Sequence, residues 1–175
     1  MPNRIEYRAF TMIYGMPVKK LITSVSMLPL LSLNNTASNT IANTEALWDT
    51  GATISCIKPA LFERLRLRRY DTAGFTTITG IGGKIKAAVT LINLFLTPTF
   101  VIEDCPVYIT DFPGRTDILI GMDIIGMGDF AVCNVDNKTS FSFAMPPFPD
   151  RINLAEKAES VNKINRTEGS TEGST

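Results

Sequence analysis

Proton transfer in this chain has few candidate residues. The sequence contains no histidine, which removes Ser-His-Asp and Cys-His nucleophile pairs and His-ligated metals in one step. Acid–base work then falls to carboxylates, Lys, Tyr or Cys. Asp49 stands out by its setting. The apolar run Ala46-Leu47-Trp48 ends abruptly at Asp49-Thr50-Gly51-Ala52, and a second run, Ile118-Leu119-Ile120, ends in the same way at Gly121-Met122-Asp123. A carboxylate on a Gly-containing turn is held by backbone amides and a neighbouring hydroxyl instead of a salt bridge. Asp-Thr-Gly alone is weak, because any tripeptide recurs by chance. The ordered set is stronger: apolar strand, Asp-Thr-Gly-Ala, a glycine-rich hairpin tip, then Ile-Leu-Ile-Gly.

Other chemistries fit less well. Cys56, Cys105 and Cys133 form no CxxC pair and, without His, make a poor zinc set. They read as small buried apolar groups in a reducing compartment. Gly80-Ile81-Gly82-Gly83 lacks the third Gly of GxGxxG, a following Lys-Ser/Thr and a following helix pattern, so it is no phosphate loop. Neither metal nor cofactor is expected.

The elements that position these residues are mostly strands, an all-β reading. Tyr7, Phe10, Met12 and Tyr14, the turn Gly15-Met16-Pro17, and Leu21, Ile22 and Val25 suggest an N-terminal hairpin. The apolar stretch Leu21 to Leu33 also admits a signal-peptide reading with a cleavage site near Thr36-Ala37-Ser38. The strand reading is preferred, because Glu6 and a 20-residue leader to the run suit a signal poorly. A polar loop follows from Asn34 to Thr44. Pro59 suits the first turn of a helix whose apolar face is Leu61, Phe62 and Leu65. Phe75–Thr79 and Lys84–Leu96 flank the glycine tip as a hairpin. Phe100–Ile109 reads as a strand interrupted at Pro106, and Met122–Met127 as a short helix. Phe130–Val135 and Thr139–Ala144 form a hairpin across Asp136-Asn137.

The chain has 175 residues, 45% of them hydrophobic, enough for one core. Its 17 Lys+Arg against 17 Asp+Glu give no surplus of positive charge, which argues against a nucleic-acid partner. Arg64, Arg66, Arg68 and Arg69 are read as a solvated cluster at a helix C-terminus. No membrane partner is expected, since the apolar run is too short to span a bilayer, and the location is read as cytoplasmic. The globular domain is expected over residues 1–149, with 150–175 a charged, partly disordered low-complexity tail. In that tail, Asn153 with Glu156 resembles a capping box. Leu154, Ala158, Val161 and Ile164 would line one face of a marginal helix.

The ordered motifs resemble those of retropepsin-like aspartic proteases, especially the small single Asp-Thr-Gly members encoded in bacterial genomes. The resemblance covers about residues 45–145. It implies a closed β-barrel of the acid-protease type with one short helix near the C-terminal end of the core. It also implies an aspartic endopeptidase activity. Asp49 would be catalytic, with Thr50, Gly51 and Ala52 supporting its loop. Ile81, Gly82 and Gly83 would form a flap over substrate, and Ile120 and Gly121 the second turn. Met122-Asp123 and Thr53 depart from the viral pattern at positions where charged residues pair beside the site. Peptide hydrolysis without a metal or nucleophile needs one base and one acid, and one chain offers one Asp-Thr-Gly. Asp71-Thr72-Ala73-Gly74 has the wrong spacing and no apolar strand before it. The expected partners are therefore a second copy, in a homodimer that brings two Asp49 together, and a polypeptide bound as an extended strand. Thr139 to Met145, with Phe141 and Phe143, is the expected interface strand, and the N-terminal hairpin the alternative. A noncatalytic peptide-binding or dimerisation module of the same fold is the competing reading.

Overall fold

A computed structural model describes residues 5–29, 41–70, 76–80 and 83–169. Among the described residues, ten strands and three helices follow in order: β1 (Arg8–Ile13), β2 (Leu21–Pro29), β3 (Ala42–Trp48), β4 (Cys56–Ile57), α1 (Pro59–Arg64), β5 (Thr76–Gly80), β6 (Gly83–Thr97), β7 (Phe100–Ile109), β8 (Ile118–Ile120), α2 (Met122–Ile125), β9 (Asp129–Val135), β10 (Lys138–Met145) and α3 (Leu154–Gly169). The all-β reading holds, with two short helices in the core and one in the tail.

Six strands close into a barrel in the order β2-β3-β8-β4-β7-β6, and β6 returns to β2. β8 is the pivot. It pairs in parallel with β3 and antiparallel with β4, and all three of its residues are buried. A strand covered on both faces reads as an unbroken apolar run, as Ile118-Leu119-Ile120 does. β6 is long enough to serve twice. Its first part pairs with β5 as a hairpin, and its later part pairs with β7 and β2. Opposite Asn93 the partner strand carries an extra residue. There Asp104 takes the left-handed φ of 51° and donates its N–H to Asn93 Oδ1 at 3.0 Å. Such a bulge bends the ribbon and helps it curl shut.

The remaining sheet has the order β1-β10-β9. It lays Phe10, Phe130, Phe141 and Phe143 around Trp48, with ring centroids 5.3–5.9 Å from the indole. Phe141 and Phe143, fully buried, contribute roughly 1.5–3 kcal/mol each, while Phe10 and Phe130 are only partly buried. Gly128 admits no side chain, because a β-carbon there would overlap the carbonyl oxygen of Ala144.

Two expectations are corrected here. The N-terminal strands do not form a hairpin with each other. β1 pairs with β10 while β2 pairs with β3 and β6; Phe10 of β1 packs on Trp48, Phe141 and Phe143, and Val25 and Met27 of β2 are buried in the core. The Thr139–Met145 strand is not an open interface strand. β10 is central in its sheet, and Phe141 and Phe143 are 1% and 0% exposed in the core of a single chain. A smaller correction concerns Pro106. β7 runs through it unbroken, because β4 pairs only at Tyr108 and Ile109 and no neighbour on that side needs the missing N–H.

α1 follows its reading, with Leu61 and Phe62 buried. Arg64 reaches Asp117 at 3.8 Å. The tail is helical from Leu154, and Asn153 Oδ1 accepts the N–H groups of Ala155 and Glu156 at 3.1 and 3.3 Å. Of the polar loop read from Asn34 to Thr44, residues 34–40 lie outside the described residues, and Ala42, Asn43 and Thr44 instead belong to β3, paired with β2; residues 170–175 and Asp71-Thr72-Ala73-Gly74 also lie outside the described residues. Among the described residues, no helix is long and apolar enough to cross a membrane.

Candidate active site

β3 and β8 run side by side and break at the same level. Trp48 stands opposite Ile120, and the next residue, Asp49, continues the ladder by donating its N–H to the Ile120 carbonyl at 2.9 Å. The chain then turns sharply. Asp49 Oδ1 accepts the Gly51 N–H at 2.9 Å, and the Asp49 carbonyl accepts the Ala52 N–H at 3.1 Å. The carboxylate is half-buried, while Thr50 and Gly51 are exposed on the outside of the turn. Among the described residues no cation pairs with Asp49. Of the grip read from the Gly-containing turn, the backbone amide of Gly51 is in place, and no hydroxyl hydrogen bond to Asp49 is found among the described residues.

Behind Asp49 the frame is stiff. Trp48 is buried in the aromatic layer, and its indole N–H donates to Thr23 Oγ1 at 3.0 Å. The second turn locks onto the first through backbone groups. The Met122 N–H donates to the Ala52 carbonyl at 2.8 Å, and the Gly121 N–H donates to Ser55 Oγ at 2.9 Å. Ile120 and Gly121 thus lie where the sequence put them, as a turn beside Asp49.

Two residues that sequence reasoning did not assign complete this clasp. Ser55 is fully buried and donates its hydroxyl to Asp123 Oδ1 at 2.6 Å. Its backbone N–H donates to Asp123 Oδ2 at 2.8 Å, and the Ile124 N–H donates to Oδ1 at 2.9 Å. At the Met122-Asp123 departure, a carboxylate joins the two turns through hydrogen bonds. Its signal was a polar residue past each glycine turn, Ser55 and Asp123, inside otherwise apolar runs. Asp123→Ala leaves the Ser55 N–H and hydroxyl without their acceptor. The expected cost is about 1–3 kcal/mol, seen as a lower melting temperature, with a larger fractional loss in kcat than in KM. A melt unchanged from wild type would show that the clasp bears no load.

The flap residues divide. The β5–β6 hairpin is present, with Gly80 opposite Gly83. Ile81 and Gly82, at its tip, lie outside the described residues.

The thiols are not poised for nucleophilic work. Cys56 and Cys105 are buried, as expected, whereas Cys133 is exposed. Burial first, and the Asp123 charge second, push Cys56 from 9.0 up to about 11 and Cys105 from 9.0 up to about 12. Both folded values are raised, so the stability they reflect is present below pH 9. It is lost as pH rises through about 11 and 12, because the unfolded chain releases these protons first. Urea unfolding from about pH 8 to 11 is expected to show stability falling with pH, and less steeply in the Cys56→Ala, Cys105→Ala double variant. Equal slopes would refute the assignment.

A family profile described as Aspartyl protease matches residues 33–124, more than half of the chain. The chain belongs to the aspartyl protease family. The matched range contains Asp49, Ser55, Gly121 and Asp123. Among the solved structures to which this chain is similar are two proteases. A retropepsin-like aspartic protease from Rickettsia conorii shows a TM-score of 0.48 and 12% identity, with 80% of this chain and 96% of that one covered. EIAV protease complexed with the inhibitor HBY-793 shows a TM-score of 0.46 and 24% identity, with 65% and 90% covered. No protein of curated function matches the chain.

Proposed function

We propose that this aspartyl protease family member is an endopeptidase that works as a homodimer, with one Asp49 from each subunit at a shared site. The observation that supports this reading is the Asp49 turn itself: a half-buried carboxylate gripped by the Gly51 amide, unpaired with any described cation, on a doubly locked frame.

The chemistry needs two such groups. Two carboxylates about 3 Å apart cannot both ionise, so the pair holds one proton, as in aspartic proteases generally. The ionised Asp49 takes a proton from water as its oxygen attacks the peptide carbonyl carbon. The protonated Asp49 of the other subunit gives its proton to the carbonyl oxygen. The tetrahedral diol then collapses: the protonated Asp49 gives its proton to the amide nitrogen, the C–N bond breaks, and one diol hydroxyl passes its proton to the ionised Asp49, so amine and carboxylic acid leave and the dyad again holds one proton. Substrate would lie as an extended strand beneath the β5–β6 hairpin, with Ile81, Gly82 and Gly83 closing over it and Thr50 joining the two turns across the axis.

A mixing experiment tests the shared site. Asp49→Asn subunits in tenfold excess, under conditions of shown subunit exchange, capture most wild-type subunits in heterodimers. Hydrolysis per wild-type subunit is then expected to fall roughly tenfold by mass action. Activity unmoved by the excess would overturn the shared dyad. A noncatalytic module would bind peptide and hydrolyse none, with or without the variant.

A further inference from the structure

Past the end of α1 the chain carries an unbalanced charge. Arg64, Arg66, Arg68 and Arg69 crowd into one short stretch. Arg64 has a partner, the Asp117 carboxylate at 3.8 Å. Among the described residues no carboxylate pairs with Arg66, Arg68 or Arg69, and all three are exposed. The helix dipole does not account for them. α1 ends at Arg64, and its field falls off within the last turn.

The backbone beneath these cations is anchored. Leu67 is buried, and its N–H donates to the Phe62 carbonyl at 3.2 Å. The Arg68 carbonyl accepts the hydroxyl of buried Thr90 at 2.6 Å, and the Tyr70 N–H donates to the Val89 carbonyl at 2.7 Å. Arg66 is held at a φ of 49°, uncommon for a residue with a β-carbon. The stretch therefore runs beside β6 at the root of the β5–β6 hairpin: Val89 pairs with β7, whereas Ala87 pairs with β5. Register relates it to Asp49. Val89 pairs with Tyr108, Tyr108 with Cys56, Cys56 with Leu119, and Leu119 with Leu47, which lies just before Trp48-Asp49. At about 4.8 Å per strand, the path along the barrel wall is at most about 25 Å, or about eight residues of extended peptide.

We propose that Arg66, Arg68 and Arg69 form an exosite for acidic polypeptide, holding a run of Asp or Glu that lies within about eight residues of the scissile bond. The proposal rests on the endopeptidase reading and adds a substrate class to it. Guanidinium groups take carboxylates through charge-assisted, bidentate bonds. Nucleic acid fits less well, since the chain has no surplus positive charge to follow a phosphate backbone. Contacts remote from the reacting atoms hold ground and transition states equally, so they lower KM and leave kcat.

The test takes one peptide that wild type cleaves from a library and extends it, on either side, by a run of Glu or, as control, of Gln. At low salt, wild type is expected to show kcat/KM at least about tenfold higher for a Glu peptide, through KM alone. The preference is expected to vanish at about 0.5 M salt. The Arg66→Gln, Arg68→Gln, Arg69→Gln triple variant is expected to bring the Glu peptides down to the level of the Gln peptides. Arg68→Gln, Arg69→Gln repeats the measurement if the triple variant does not fold. Equal kcat/KM for Glu and Gln peptides in wild type, or a preference that survives in the variant, overturns the exosite and spares the endopeptidase reading. If wild type cleaves no library peptide, that reading falls, and anisotropy of a labelled Glu-rich peptide decides the patch. Binding by wild type and not by the variant supports it, and no binding by wild type overturns it. An oligonucleotide of equal charge that binds more tightly than the Glu-rich peptide overturns it too.

Discussion

Asp49→Asn is expected to abolish measurable hydrolysis while leaving the fold intact. In a homodimer the substitution removes both carboxylates, hence the base that activates water and the acid that protonates the carbonyl oxygen. Positioned acid–base groups contribute roughly 10²–10⁴-fold each, and here both are lost together. Folding should be spared for a local reason. The amide oxygen of Asn still accepts the Gly51 N–H that Asp49 Oδ1 now takes at 2.9 Å, and the backbone bonds to Ile120 and Ala52 do not involve the side chain. Peptide-library hydrolysis and a thermal melt on the same preparation check both halves. Near-wild-type turnover in a protease-free preparation would end the aspartic mechanism. A collapsed melt would mean that Asp49 serves the fold first.

Gly121→Ala is expected to have the second-largest effect, and for a purely spatial reason. The φ of Gly121 is −97°, which any residue adopts. The obstacle is room: a β-carbon there would lie 2.6 Å from both the carbonyl carbon and oxygen of Ile54, and 3.0 Å from the Ala52 carbonyl oxygen. These are backbone atoms, so no side chain can swing aside. The two turns must separate, which stretches the Met122–Ala52 and Gly121–Ser55 bonds. Overpacking of this kind costs about 1–3 kcal/mol or more, and a shift of about 1 Å in a catalytic group can cost roughly 10²-fold in rate. Gly15→Ala is the control, since nothing lies within 4 Å of its added carbon. If Gly121→Ala matched Gly15→Ala in both melting and rate, the close contact of the turns would have no functional weight.

Much of the candidate site was legible because its signals are local. An apolar run that stops at Asp49-Thr50-Gly51 must turn there, and Ile118-Leu119-Ile120 before Gly121 must be a buried strand that does the same. The absence of histidine removed whole reaction classes before any geometry was known. The β5–β6 and β9–β10 hairpins and helix α1 were equally readable, since each is set by neighbours a few residues apart. Asp136 and Asn137 take the left-handed φ values, 49° and 58°, that such a hairpin turn requires.

What the sequence withheld was pairing at a distance. Alternating apolar residues make Arg8–Ile13 a strand, but they do not say that its partner is Met145–Ser140 instead of the nearby β2. Phe141 and Phe143 were visibly apolar, yet whether they meet a second copy or Trp48 depends on which surfaces the whole chain buries. The Ser55–Asp123 clasp was hidden for the same reason: a polar residue shows its role only when the fold brings its acceptor within 2.6–2.8 Å. Sequence by itself determined the strand propensities, the turns and the chemistry available to Asp49. Tertiary structure decided which strands share an edge and which polar groups meet. Those outcomes come from burying apolar surface across the entire chain at once, a condition that no short segment carries alone.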